Sequence, residues 1–399
     1  MRKLKAGVLG LRRGMSYATS FNAHPNTQLV TICDFSKDRI SAAKPKLPDL
    51  TLYSDYDNFL EHDTDIVVIA GYLPDHAKQA IKALHAGKHV LSEVTACMTL
   101  GEAVALCRTV EKTGKKYMMA ENYCYMPHIQ EMKVLYKKGV LGEYTYGEGE
   151  YIHDCRPQWK ILTNGPTHWR NWLPASYYCT HSLGPISWIT GTRTVKVNGF
   201  FVNKGIGQTV GRVGDDWGVL MCTMDNGAIS RIIPWSNGPR DTLWYRIYGT
   251  KGTVEHNRLT DKTVLNVFTE TKPLQFSTDI YLAKFKKYAD LAAQTGHGGS
   301  DFFVTHEFVE SILKDTKPPI DVYESVDMTL PGILGYKSAL MGNASLEVPD
   351  FRKESVRKKY ENDNWSPNPA DKDKQAHQPK PSILGDIKIP VKVYKQIYE

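Results

Sequence analysis

Through the first third of the chain, short apolar runs rich in β-branched residues alternate with segments whose apolar positions recur every three to four residues. Lys5–Leu9, Gln28–Cys33, Ile66–Ala70, His89–Leu91 and Tyr117–Ala120 read as strands. Ile66–Ala70 is apolar throughout, the pattern of a strand buried on both faces of a parallel sheet. Helical periodicity begins near Ser16, spans His76–Ala86 before Gly87, and spans Leu100–Lys112 before Gly114. This alternation predicts an α/β chain whose residues 1–124 form a doubly wound parallel sheet with right-handed crossovers.

Near residue 125 the pattern changes. Ile129–Lys138 reads as a helix. Thr145–Ile152, Val195–Val202, Trp217–Met224, Ala228–Ile233, Trp244–Gly249 and Thr253–Glu255 read as strands, with a turn at Asp225–Gly227. Strands that follow one another without helices predict an α+β domain over 125–350, built on an antiparallel sheet. A loop-rich stretch, 154–176, holds Trp159, His168, Trp169, Arg170 and Trp172. Phe303–Leu313 and Met328–Met341 are amphipathic helices by pattern. The segment 351–399 is charged and proline-rich, and is expected to wrap over the surface or to reach a neighbouring subunit. No internal repeat is visible.

Composition narrows the class. A chain of 399 residues with 41% apolar content supports two cores. The net charge of +7 is modest, and no basic run is interleaved with aromatics, which argues against nucleic acid as a partner. A mild positive bias suits an anionic ligand. No apolar stretch approaches the roughly 20 residues that span a bilayer, so no membrane partner is expected. Met1–Leu9, basic and then apolar, reads as the first buried strand, which leads to an expected cytoplasmic location. The seven cysteines form no CxxC pair and read as small apolar residues; no metal site is expected.

The candidate chemistry starts at the first turn, Gly10-Leu11-Arg12-Arg13-Gly14, which approximates a G-x-G-x-x-G dinucleotide turn with Arg12 near the place of the second glycine. The second strand ends at Asp34, 24 residues after Gly10. A carboxylate there accepts hydrogen bonds from both ribose hydroxyls and repels a 2′-phosphate, which favours NAD over NADP. Capping of the following segment is the alternative role, and Lys37 and Arg39 lie nearby. His76 and Asn122 follow strand ends on the face where such sheets bind ligands, although His76 could simply cap its helix. Asp215-Asp216 looks like an exposed pair before a strand, and the paired carboxylates of an ordinary glycosidase are not identifiable.

From residue 66 the order of features becomes specific: IVVIA-GYLPDHAKQAIKALHAGKHVLSE, then EAVALCRTVEKTGKKYMMAENYCYMP, then KGVLGE. Over about 1–150 the chain resembles the Gfo/Idh/MocA oxidoreductase family, and the later pattern fits that architecture to about 345. The resemblance implies an N-terminal Rossmann domain, a second domain on an open-faced sheet, and NAD as cofactor. Two departures stand out. Sugar and inositol dehydrogenases of this family carry Glu-Lys-Pro where this chain has Glu93-Val94-Thr95. They also carry an aspartate four residues before a histidine, where this chain has Tyr177 before His181. The combination is similar to glycoside hydrolase family 109. It includes Tyr178-x-x-His181 before Gly184-Pro185, Asn122 within Glu121–Tyr125, Tyr151, Trp169-Arg170, and Tyr245 in WYRIYGTKGTVE.

That resemblance implies cofactor contacts from Gly10, Leu11, Arg12, Arg13, Gly14, Asp34, Tyr72, Leu73, His76, Glu93, Val94 and Asn122. It implies substrate contacts from Tyr125, Tyr151, Trp169, Arg170, Tyr178, His181 and Tyr245. Catalytic roles fall to His181, Tyr178, Glu93 and Tyr123. The implied activity is an NAD-dependent glycosidase. The sugar is oxidised at carbon 3, eliminates across carbons 1 and 2, adds water and is reduced again. Histidine titrates near neutrality and suits the carbon 3 hydroxyl, which gives His181 that role. A tyrosine, with its ordinary pKa of about 10, needs a nearby cation such as Arg170 to act as the second base; Tyr178, Tyr123 and Tyr125 are the candidates. Glu93 would touch the nicotinamide ribose or a substrate hydroxyl. The alternatives are a sugar or 3-keto-sugar dehydrogenase, disfavoured by the missing lysine, and a non-catalytic NAD-binding regulator, disfavoured by His181 and the tyrosines. The expected partners are a small glycoside and further copies of the chain, as a dimer or tetramer formed through the open sheet face.

Overall fold

The computed structural model describes residues 2–47, 49–258, 264–269, 279–282, 287–372 and 377–399. The chain divides into two compact units that interleave in sequence. The first takes residues 1–126, 285–326 and 351–363; the second takes 127–284, 327–350 and 364–399. The division therefore differs from a contiguous 125–350 domain followed by a separate tail, because both later segments complete the first unit through specific contacts. Met119 N–H donates to Ile320 O at 3.1 Å, and Gly101 N–H donates to Asp363 O at 2.8 Å. The buried Arg357 pairs with Glu111 and donates to Phe351 O at 2.5 Å.

In the first unit, β1 (Leu4–Leu9), β2 (Thr27–Cys33), β3 (Thr51–Tyr53), β4 (Ile66–Ile69), β5 (His89–Ser92) and β6 (Tyr117–Met119) form one sheet in the order β3-β2-β1-β4-β5-β6. Every pair is parallel. β4 is a run of four β-branched residues, each 0% exposed. Each such side chain contributes about 1.5–3 kcal/mol by leaving water. The helix Leu100–Thr113 opens on a capping box: Thr99 Oγ1 accepts from Glu102 N–H at 3.1 Å, and the Glu102 carboxylate accepts from Met98 N–H at 2.9 Å. The strand order reverses between β1 and β4, and the crevice beyond the carboxyl ends of the strands at such a point is where doubly wound sheets bind dinucleotides.

In the second unit the strands are β7 (Tyr144–Ile152), β8 (Thr194–Val202), β9 (Trp217–Met224), β10 (Ile229–Ser236), β11 (Thr242–Gly249), β12 (Gly252–His256), β13 (Val264–Thr269), β14 (Asp279–Leu282) and β15 (Leu346–Glu347). Their order is β14-β13-β12-β11-β7-β10-β9-β8-β15. The sheet is mixed, which corrects the expectation of a purely antiparallel one: β10 runs parallel to β7. Strand alternation fixes which side chains share a face but says nothing about the direction of a partner, so this pair was not legible. The helix Thr180–Thr190 lies flush on β7, because a Cβ at Gly149 would stand 2.1 Å from Ser182 O.

The C-terminal segment packs on the chain's own second unit. Asp215 accepts from Ser382 Oγ at 2.6 Å, Tyr336 donates to Lys380 O at 2.5 Å, and Tyr394 donates to Gly211 O at 3.1 Å. Asp215 and Asp216, expected at the surface, are both buried. Asp216 accepts the backbone N–H groups of Lys204, Ile206 and Gly207 at 2.7–3.1 Å, so the pair braces a loop.

Candidate active site

Five strand ends of the first unit supply its site. After β1, Gly10 takes φ +89°, and a Cβ there would stand 2.3 Å from Ala70 O, so only glycine fits this turn beside the end of β4. Leu11 N–H donates to Asp34 Oδ2 at 2.8 Å, and Ser36 N–H donates to Asp34 Oδ1 at 2.8 Å. Asp34 thus ties the end of β2 to the glycine turn and also steadies Ser36, the cap of the next helix, which is the structural role considered for it. After β4, Tyr72 and Leu73 lead into His76, whose ring nitrogens face Thr95 O at 3.2 Å and Gly71 O at 3.4 Å. Burial pushes the His76 imidazole below its ordinary value.

After β5, the Glu93 carboxylate accepts from Arg13 Nε at 2.7 Å and from Tyr17 Oη at 2.8 Å. Val94, at the position of the dehydrogenase lysine, is buried. Arg13 also grips Asp301 with both terminal nitrogens at 2.8 Å. Ser16 and His297 donate to the same carboxylate at 2.5 and 2.9 Å. Arg13 is therefore an internal clamp joining the glycine turn, Glu93 and the helix Ser300–Leu313. Arg12 is exposed and Gly14 buried. After β6, Asn122 is buried, and its Nδ2 has no hydrogen-bond partner. Tyr123 and Tyr125 follow on the same short turn, and burial drives the Tyr125 hydroxyl well above its ordinary value, the opposite of what a base requires.

These residues fit a dinucleotide. A glycine turn without room for a Cβ, a carboxylate anchored at the end of β2 and a buried amide with an unused donor all stand at the carboxyl ends of one parallel sheet. Phe35 was not singled out from the sequence. Its ring is 58% exposed beside Asp34, edge-on to Tyr72 at 5.2 Å and capped by Arg39 at 5.9 Å, and it offers a face on which an adenine can stack. A large apolar residue directly after the strand-end aspartate was the available signal.

The second unit gathers the other candidates around a recess. Tyr151, at the end of β7, and Arg170 and Tyr178, from the 154–178 region, line it together with His153, Cys155, Leu162 and Trp235. His181 stands edge-on to Tyr151 at 4.8 Å and to Tyr178 at 5.1 Å. The Arg170 guanidinium lies 4.3 Å from the Trp169 ring and 6.0 Å from the Tyr178 ring. Tyr245 is buried, and its hydroxyl donates to His181 O, so it holds the helix turn that carries His181. Tyr151, Arg170, Tyr178 and His181 thus come together, Trp169 backs Arg170, and Tyr245 sits behind them. His153 and Cys155 were missed. The signal for His153 was the continued alternation Tyr151-x-His153 past the strand end.

An open α/β sheet with this glycine turn, Asp34 and Asn122 defines an NAD-binding Rossmann domain joined to a mixed-sheet domain. Comparison with known proteins agrees. Residues 4–121 match the family model described as oxidoreductase family, NAD-binding Rossmann fold, and residues 214–358 match the glycosyl hydrolase 109 C-terminal domain. The chain is thus similar to the Gfo/Idh/MocA oxidoreductase family over its Rossmann domain and to glycosyl hydrolase 109 proteins over its later part. A glycosyl hydrolase family 109 protein of Solibacter usitatus is 28% identical over 87% of this chain and 88% of its own length. Glycosyl hydrolase family 109 protein 1 of Bacteroides thetaiotaomicron is 27% identical over 88% and 85%. Among solved structures, levoglucosan dehydrogenase in complex with NADH and L-sorbose matches with TM-score 0.74 and 20% identity, over 88% of this chain and 100% of that one. Myo-inositol 2-dehydrogenase from Lactobacillus plantarum matches with TM-score 0.69 and 18% identity, over 87% and 100%.

Proposed function

We propose that the chain is an NAD-dependent glycosidase that oxidises its sugar at carbon 3 only for the duration of the cleavage. The observation that carries this reading is the recess of the second unit, lined by Tyr151, Arg170 and Tyr178, with His181 edge-on to both tyrosine rings and no lysine among the described lining residues. Bound NAD supplies a hydride acceptor for carbon 3 and, once reduced, returns the hydride.

The residues supply everything else. His181 takes the proton of the carbon 3 hydroxyl as the carbonyl forms. The carbonyl acidifies the carbon 2 hydrogen, and Tyr178, beside the Arg170 cation, is placed to take it. The aromatic rings of Tyr151 and Trp235 offer apolar surface to the sugar. In the first unit, Glu93, fixed by Arg13 and Tyr17, is preorganised to accept a hydrogen bond from the nicotinamide ribose without moving. The glycosidase names of the sequence relatives support this reading.

The test is cleavage of an aryl glycoside in heavy water with catalytic NAD⁺. Deuterium at carbon 2 of the released sugar, with no net NADH, is the expected result. Stoichiometric NADH would instead establish a sugar dehydrogenase, the second reading, which the likeness to levoglucosan dehydrogenase favours.

A further inference from the structure

We infer that His153, oriented by Asp241, donates the proton to the group that departs from carbon 1 and then takes a proton from the water that replaces it. This role rests on the glycosidase reading above.

β7 ends at Ile152, and its extended alternation sets His153 on the same face as Tyr151. Both side chains line the recess, and their rings stand 5.7 Å apart. His153 Nδ1 faces Asp241 Oδ2 at 3.2 Å, the arrangement by which a carboxylate orients a working imidazole. Three further contacts fix this dyad. Asp241 Oδ1 accepts from Asp154 N–H at 2.6 Å, His153 O accepts from the Trp235 indole at 3.0 Å, and Arg156 grips Asp154 at 2.6–2.8 Å. A hydrogen bond with Cys155 and the Asp241 charge, acting against burial, hold the His153 imidazole at about 9. At neutral pH it is therefore an imidazolium, the protonation state of an acid.

The chemistry leaves a vacancy for such a group. When the carbon 2–hydrogen bond breaks, the electron pair forms the double bond and the carbon 1–oxygen bond breaks. The departing oxygen carries that second pair away and needs a proton unless its own acidity is high. His181 is committed to the carbon 3 hydroxyl and the tyrosines to carbon 2. The His153 N–H bond breaks as the O–H bond of the departing alcohol forms. In the second half, water adds to carbon 1 and gives its proton back to the neutral imidazole, so the ring finishes as it began.

The measurement is cleavage of methyl, phenyl and dinitrophenyl glycosides by holoenzyme with bound NAD, comparing wild type with His153→Gln. The expected loss is about 100-fold on the methyl and phenyl substrates and only a few-fold on the dinitrophenyl one, whose departing group needs no acid. Transient cofactor reduction, read by absorbance, stays at the wild-type amplitude. If His153→Gln fails to fold, Asp241→Asn carries the same comparison, with a smaller loss in the same order. An equal loss on all three substrates overturns the role of His153 and leaves the glycosidase reading standing. A wild type that cleaves none of them and accumulates NADH overturns both.

Discussion

At the residue scale the second unit is organised around one side chain whose support is backbone. His181 rides on the first turn of a helix seated against β7 by the absence of a side chain at Gly149, and its carbonyl is held by the Tyr245 hydroxyl. The imidazole is therefore fixed from behind and faces the rings of Tyr151 and Tyr178. On the proposed reading its replacement removes a proton acceptor and leaves the first-unit residues unchanged. His181→Ala is expected to slow transient cofactor reduction by about 100-fold, while NAD⁺ affinity measured by calorimetry stays within a few-fold of wild type. Loss of affinity in parallel with the rate would mean that His181 serves binding and not chemistry.

At the element scale, the helix Ser300–Leu313 is pinned to the glycine turn through Asp301, a carboxylate in its first turn where the helix dipole favours negative charge. Burial alone would raise this carboxyl, but hydrogen bonds from His297 and Arg13 hold it well below its ordinary value. The unfolded chain thus binds a proton more readily than the folded one near pH 4. This contribution to stability is complete above the ordinary carboxyl value of about 3.9 and is lost as the pH falls toward the folded value. Urea midpoints of wild type and Asp301→Asn should differ most at pH 6, and the gap should begin to narrow below about pH 4 and keep narrowing as the pH falls further; a constant gap would remove the ion pair from the account. Elements were legible wherever the signal was local. All five first-unit strands read from apolar runs are present, and the helix read over Leu100–Lys112 is found at Leu100–Thr113. What was not legible depends on distant partners. Arg13 reads as part of a phosphate turn, yet its side chain closes on a residue 288 positions away. Asp215-Asp216 reads as exposed because its covering segment, around Ser382, lies far along the chain. His153 was passed over because it stands one residue beyond its strand, between that strand and the stretch read as loop.

At the scale of the whole molecule, one face of the nine-stranded sheet bears Phe200 and Val202 on β8 and Ile229 on β10, each 46% exposed, with β9 between the two strands. Such a patch favours association between copies, and sedimentation at micromolar concentration is expected to show a dimer or tetramer; a monomer alone would reject this. Among the described residues no helix is long and apolar enough to cross a membrane. The interleaving of the two units carries a consequence for how the protein is made. Domains usually close in the order in which they leave the ribosome. Here the sheet edge at Met119 waits for Ile320, Arg13 for Asp301, and Gly101 for Asp363. The nascent Rossmann sheet therefore emerges with its edge unpaired and its clamp arginine unmatched. It is completed only after most of the second unit has been synthesised, so for most of translation it is not a finished domain.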